Sequence, residues 1–175
     1  MSNPSATVYL VLPNGNNQAS FTINNSPSGQ TFFLDTQTLA TTGTYQLWVQ
    51  HSGTNIGSET LRVASVPADV TGSITMGGAA LPITTVAGQN ANITFTNSAS
   101  QSVTVHWTSG TYSTSLGCYL RVTGPSPSNT QVGFAYCNAA TGTASLGTVA
   151  AGTYNILVDP QAQNAGGLSL TVTTP

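Results

Sequence analysis

Residues 43–63 read GTYQLWVQHSGTNIGSETLRV, and residues 152–172 read GTYNILVDPQAQNAGGLSLTV. The second stretch repeats the first at a constant offset of 109, from Gly43 and Gly152 through to Val63 and Val172. Gly43 answers Gly152, Tyr45 answers Tyr154, Val49 answers Val158, Asn55 answers Asn164, Gly57 answers Gly166 and Leu61 answers Leu170. In both copies Gly-Thr-Tyr opens an alternation: Tyr45, Leu47 and Val49 share one side, as do Tyr154, Ile156 and Val158. Alternation of this kind marks a strand with one buried face. A unit repeated at this distance is a whole module, not a short solenoid repeat.

Working outward, short alternating segments bounded by Gly, Pro, Asn and Ser fill the rest of the chain. The pattern predicts strands over 6–12, 19–23, 31–34, 44–50 and 58–63, then over 72–75, 81–86, 90–96, 102–107, 117–123, 131–136, 144–148, 153–158 and 168–173. No stretch has helical periodicity. The fold expected is all-β: antiparallel sandwich or jelly-roll-like modules in tandem, without significant helix. Val66-Pro67-Ala68-Asp69-Val70 reads as the joint, where proline restricts the backbone. The match continues upstream with a one-residue shift, Tyr9-Leu10 against Tyr119-Leu120, the extra residue falling near Thr41-Thr42. Residues 68–175 then form a complete module. Residues 1–67 form the C-terminal part of another, with nothing to match residues 72–107. The first module is expected either to stand as a small five-stranded sandwich or to have its open sheet covered by a neighbour.

Composition narrows the function. Charged residues make up 3% of the chain, against roughly 25% in ordinary domains. There is no lysine; the charges are Arg62, Arg121, Asp35, Glu59, Asp69 and Asp159. A net charge of −2 excludes a basic face, and with it nucleic-acid binding and electrostatic attachment to anionic membranes. No run of 18 apolar residues is present, so no membrane insertion by a helix is expected. A surface of Thr, Ser, Asn, Gln and Gly suits an extracellular protein held in a stalk, fibre or wall. Cys118 and Cys137 are read as one disulfide, with two buried thiols as the alternative. Without a CxxC and with His51 and His106 distant, no metal is expected.

The runs DTQTLATTGTYQLWV, GTNIGSETL, VPADVTGSI and TTVAGQNANITFT resemble a β-sandwich module repeated in large secreted bacterial surface proteins, RHS/YD-repeat proteins among them. The Gly-Thr-Tyr strand, followed by a glycine and a closing strand, is similar to bacterial pre-peptidase C-terminal domains. The resemblance implies an extracellular, non-catalytic spacer or binding role. Some pre-peptidase C-terminal domains bind calcium through clustered acids, and this sequence has no such cluster.

The residues themselves argue against an enzyme. There is no GxSxG nucleophile turn, His51 falls at a strand end and His106 on a strand's polar face. Asp35 and Asp159 sit near strand ends, where short polar side chains cap turns. Catalytic residues and cofactors are therefore expected to be absent. Trp107 follows an apolar face and is assigned to the core. Trp48, beside Gln46 and Gln50, has Leu157 as its counterpart, which points to a second packed surface. The function expected is a structural repeat on a bacterial surface: a stalk, a spacer or a self-associating fibre subunit whose partners are neighbouring copies. The alternative is an adhesin or carbohydrate-binding module, with Trp48 or Tyr112 against a surface glycan.

Overall fold

The computed structural model describes residues 5–24, 30–54 and 56–174. It contains no helix among them, and it divides into two compact units, Met1–Ser65 and Val66–Pro175.

Unit two is a two-sheet sandwich. Its strands are β4 (Val70–Ile74), β5 (Leu81–Thr85), β6 (Ala91–Asn97), β7 (Gln101–Thr108), β8 (Cys118–Thr123), β9 (Gln131–Tyr136), β10 (Gly142–Val149), β11 (Gly152–Pro160) and β12 (Gly166–Thr173). Each of the nine segments expected here is a strand. One sheet has the order β4-β6-β11-β8-β9 and the other β10-β7-β12-β5. The pairing departs from the antiparallel expectation once: β4 runs parallel to β6. The chain leaves the first sheet after β4, forms β5 in the second, and returns to the first in its original direction.

Alternation fills the core between the sheets. Ile93, Phe95, Leu120, Val122, Ile156 and Val158 come from one sheet, and Val103, Val105, Leu170 and Val172 from the other, all nearly without exposure. Burying one such side chain stabilises by roughly 1.5–3 kcal/mol. Trp107 is buried as expected and donates from Nε1 to the Ala139 carbonyl at 3.1 Å. Cys118 and Cys137 form the disulfide. It joins β8 to the end of β9, with a Cα–Cα distance of 4.8 Å.

The Gly-Thr-Tyr motif is a corner, and both units build it alike. In unit two, Gly152 has φ 154° and lies so close to Pro125 that a Cβ would sit 2.4 Å from its Cγ. Only glycine accepts both the backbone and the ring. Tyr154 then turns back and donates its hydroxyl to the Ala150 carbonyl at 2.8 Å. In unit one, Gly43 has φ 153° with Pro13 Cγ 2.7 Å from the Cβ it lacks, and Tyr45 donates to the Thr41 carbonyl at 2.8 Å. Such a tyrosine corner ties a strand to the loop that feeds it.

Unit one has three strands, β1 (Ser5–Val11), β2 (Asn17–Asn24) and β3 (Gln46–His51), in the order β2-β1-β3. They are the counterparts of β8, β9 and β11. Their register corrects the upstream alignment. Val49 pairs with Val8, and its repeat Val158 pairs with Leu120, so Val8 answers Leu120 at an offset of 112. The same offset carries Pro13 to Pro125, the two corner prolines. Ala6 therefore stands where unit two has Cys118, a place that the Tyr9-Leu10 alignment assigns to Val8. The match of Tyr9-Leu10 with Tyr119-Leu120 was a coincidence of letters that the hydrogen-bond ladder overrules.

Two expected strands do not form: residues 31–34 and 58–63 carry no ladder. Their repeats lie in β10 and β12, which both pair with β7, and β12 also with β5. The described residues of unit one supply no counterpart of β5 or β7. A strand needs a partner, and among the described residues neither segment has one.

Candidate functional site

The largest difference between the two units lies on the inner face of the unit one sheet. Val8, Leu10, Val49 and Leu47 share this face through the β1–β3 register. Val8 and Leu10 are buried, but Leu47 is 38% exposed where its repeat Ile156 is fully buried. Leu61 and Val63 are 40% and 79% exposed, and their repeats Leu170 and Val172 are core. Unit one thus presents apolar side chains that unit two encloses. Among the described residues no strand pairs with the far edge of β3, and a shallow groove beside this strand is lined by Tyr9, Leu47, Trp48, Val49 and Gln50.

Trp48 lies opposite Tyr9 across the β1–β3 pair, on the face away from Leu47. It is 56% exposed, and its indole nitrogen donates to Gln46 Oε1 at 2.8 Å. The side chain is held in place, neither isolated nor fully exposed. Tyr112, the other aromatic expected to meet a ligand, is instead a core residue. It is 5% exposed, its ring packs against Gly166, and its hydroxyl lies 2.9 Å from Thr85 Oγ1. Burial raises its phenol above the ordinary tyrosine range, and the Thr85 hydrogen bond offsets part of this. No ligand can stack on it from outside.

Sequence reasoning missed an aromatic cluster on unit two. Tyr119 on β8 lies between Phe134 and Tyr136 on β9, each pair of ring centroids 5.4 Å apart. Phe134 is 49% exposed and Tyr136 36%. The Tyr136 hydroxyl donates to the Leu116 carbonyl, which fixes one wall of the cluster. Alternation could have located it: Cys118 and Cys137 point inward, so their neighbours Tyr119 and Tyr136 must point outward.

The ionisable groups serve local structure. Asp69 accepts from the Asn90 amide at 3.2 Å and from Asn92 Nδ2 at 3.0 Å, bracing the chain ahead of β4. Asp35 accepts from the adjacent Thr36 amide at 2.7 Å, in a segment that forms neither the expected strand nor a turn. His51 Nε2 lies 3.7 Å from Glu59, and His106 Nε2 lies 3.0 Å from the Thr173 hydroxyl. Among the described residues, no group of three or more His, Cys, Asp or Glu could hold a metal ion. No described helix is long and apolar enough to cross a membrane.

No family model and no curated protein matches the chain. Among solved structures, it is similar to the pre-peptidase C-terminal domain of a collagenase from Bacillus anthracis. That match has a TM-score of 0.48 at 13% identity and covers 63% of this chain and 99% of that one. It is also similar to PliG from Aeromonas hydrophila, a periplasmic inhibitor of g-type lysozyme. There the TM-score is 0.41 at 16% identity, covering 59% of this chain and 98% of that one.

Proposed function

We propose that this chain is a non-catalytic, extracellular structural module of a bacterial surface, working as a spacer or self-associating fibre subunit among copies of its own kind. One observation carries the reading: Leu47, Leu61 and Val63 are exposed in unit one, while Ile156, Leu170 and Val172 are buried at the same places in unit two. An apolar face of this kind favours a partner, because burial gains roughly 25 cal/mol per Å². The outer strand β3 carries no lysine, no proline and no bulge, the features that ordinarily block strand addition at an edge. The disulfide fits an oxidising compartment outside the cytosol. Size-exclusion chromatography with light scattering tests the reading. The expected result is a mass that rises with concentration; a strict monomer at all concentrations overturns the assembly.

A binding module is the second reading, and the Tyr119–Phe134–Tyr136 cluster favours it, with Trp48 as a further exposed aromatic. Sugar faces stack on exposed rings of this sort. Glycan-array binding that is lost on Phe134→Ala or Trp48→Ala supports it, and absence of binding by the unmodified chain removes it.

A further inference from the structure

β3 ends the sheet of unit one, whereas its repeat β11 is an interior strand between β8 and β6. Unit two therefore shows what fills this edge. β6 lies antiparallel to β11, with Asn97 opposite Gly152, Phe95 opposite Tyr154, Ile93 opposite Ile156 and Ala91 opposite Val158. At the offset of 109, the receiving positions in unit one are Gly43, Tyr45, Leu47 and Val49.

Three side-chain contacts lock β6 in this register. Phe95 stacks on Tyr154 with ring centroids 5.1 Å apart and planes 14° apart. Asn97, 1% exposed, donates to the carbonyls of Val149 and Ala150 at 3.1 and 2.9 Å. Thr96 Oγ1 lies 3.3 Å from Thr153 Oγ1. Unit one retains the receiving half of each contact: Tyr45 held by the same corner bond, Ala40 and Thr41 in place of Val149 and Ala150, and Thr44 in place of Thr153. Among its described residues nothing supplies the other half, and Tyr45 is only half-buried where Tyr154 is enclosed.

We infer that the open edge of β3 accepts an uncharged strand of the pattern Ala-x-Ile-x-Phe-x-Asn, supplied by another module of the same template. The strand adds antiparallel to β3, its Phe on Tyr45 and its Asn at the Ala40 and Thr41 carbonyls. Strand addition of this kind draws affinity from the ladder and specificity from alternate side chains. The β3 strand of a second copy could pair with the edge, but it carries neither the Phe nor the Asn. In this chain only Ala91–Asn97 has that pattern, and it is held between β4 and β11, so the donor is a further module and not unit two of a copy; the inference rests on the reading of this chain as one module among others of its kind.

The test titrates a synthetic peptide of residues 90–97, NANITFTN, into the full chain by calorimetry, with hydrogen exchange read in parallel. Binding of one peptide per chain is expected, with exchange slowed at residues 45–50. Leu47→Asp, and separately a peptide with Ser at the Phe and Asn positions, are each expected to weaken binding by about tenfold or more. Because Leu47→Asp can disturb unit one itself, the exchange pattern of the unmodified chain is the independent measurement. No binding, equal binding of the Ser peptide, or protection elsewhere overturns the inference. So does exchange at 45–50 that is already slow in a peptide-free oligomer, since a second copy's β3 then holds the edge. An oligomer that ignores the peptide removes this site and leaves the assembly standing; a monomer that binds the peptide does the reverse.

Discussion

Cys118 and Cys137 tie β8 to β9 across a separation of 19 residues. Closing a loop of that length removes conformational freedom from the unfolded chain, a stabilisation of about 3 kcal/mol in the chain-entropy account. Unit two spans Val66–Pro175, which is 110 residues. At about 2.1 cal/mol/K per residue its unfolding entropy is about 0.23 kcal/mol/K, so 3 kcal/mol corresponds to about 13 °C in Tm. The double variant Cys118→Ala/Cys137→Ala is therefore expected to lower the melting temperature of unit two by about that amount. Differential scanning calorimetry of the full chain reads it. Both half-cystines are buried, at 0% and 2% exposure, so reductant added to the folded protein reaches them slowly. The matching redox experiment unfolds the protein, reduces it, and refolds it with reductant present. A shift below about 4 °C in both experiments refutes the reasoning, because the loop term alone then exceeds the whole effect.

The reverse experiment uses the repeat. Ala6 pairs with Ile23 where unit two has its cystine, so Ala6→Cys/Ile23→Cys is expected to form a bridge and raise the melting temperature of unit one, as calorimetry with and without reductant shows. Gly152→Ala drives a Cβ to 2.4 Å from the rigid Pro125 ring at φ 154°, and a loss of about 1–3 kcal/mol in denaturant melts is expected. Tyr112 ionises less readily in the folded state, because burial raises its phenol above the ordinary value while the Thr85 bond offsets part of the rise. Its contribution is complete below the unfolded pKa of about 10 and is lost as pH rises from there through the folded value. Tyr112→Phe is accordingly expected to flatten the fall in Tm above that pH; an unchanged slope counts against it.

The candidate surfaces were legible to different degrees. Trp48 could be placed on the face opposite Leu47 because period-two alternation assigns faces without a fold. Tyr112 could not be placed, because it lies in a loop between β7 and β8 where no periodicity applies, and only tertiary packing turned it inward against Thr85 and Gly166. The Tyr119–Phe134–Tyr136 cluster needed the β8–β9 register, which brings residues 15 and 17 apart in sequence into contact.

By itself the sequence determined that the chain is all β, where the strands of unit two run, and that Gly-Thr-Tyr recurs as a packing element. Local alternation and turn chemistry carry that much, since each depends on residues within one strand or one turn. Tertiary structure alone decided which extended segments become strands. Residues 58–63 end in the same Leu-x-Val alternation as β12, and residues 31–34 carry Phe32, Phe33 and Leu34, yet neither segment joins a ladder, because a ladder is a property of two segments. It also decided the true offset of the upstream repeat: a pair of matching letters is weaker evidence than a hydrogen-bond register, in which Val8 and Leu120 hold the same place.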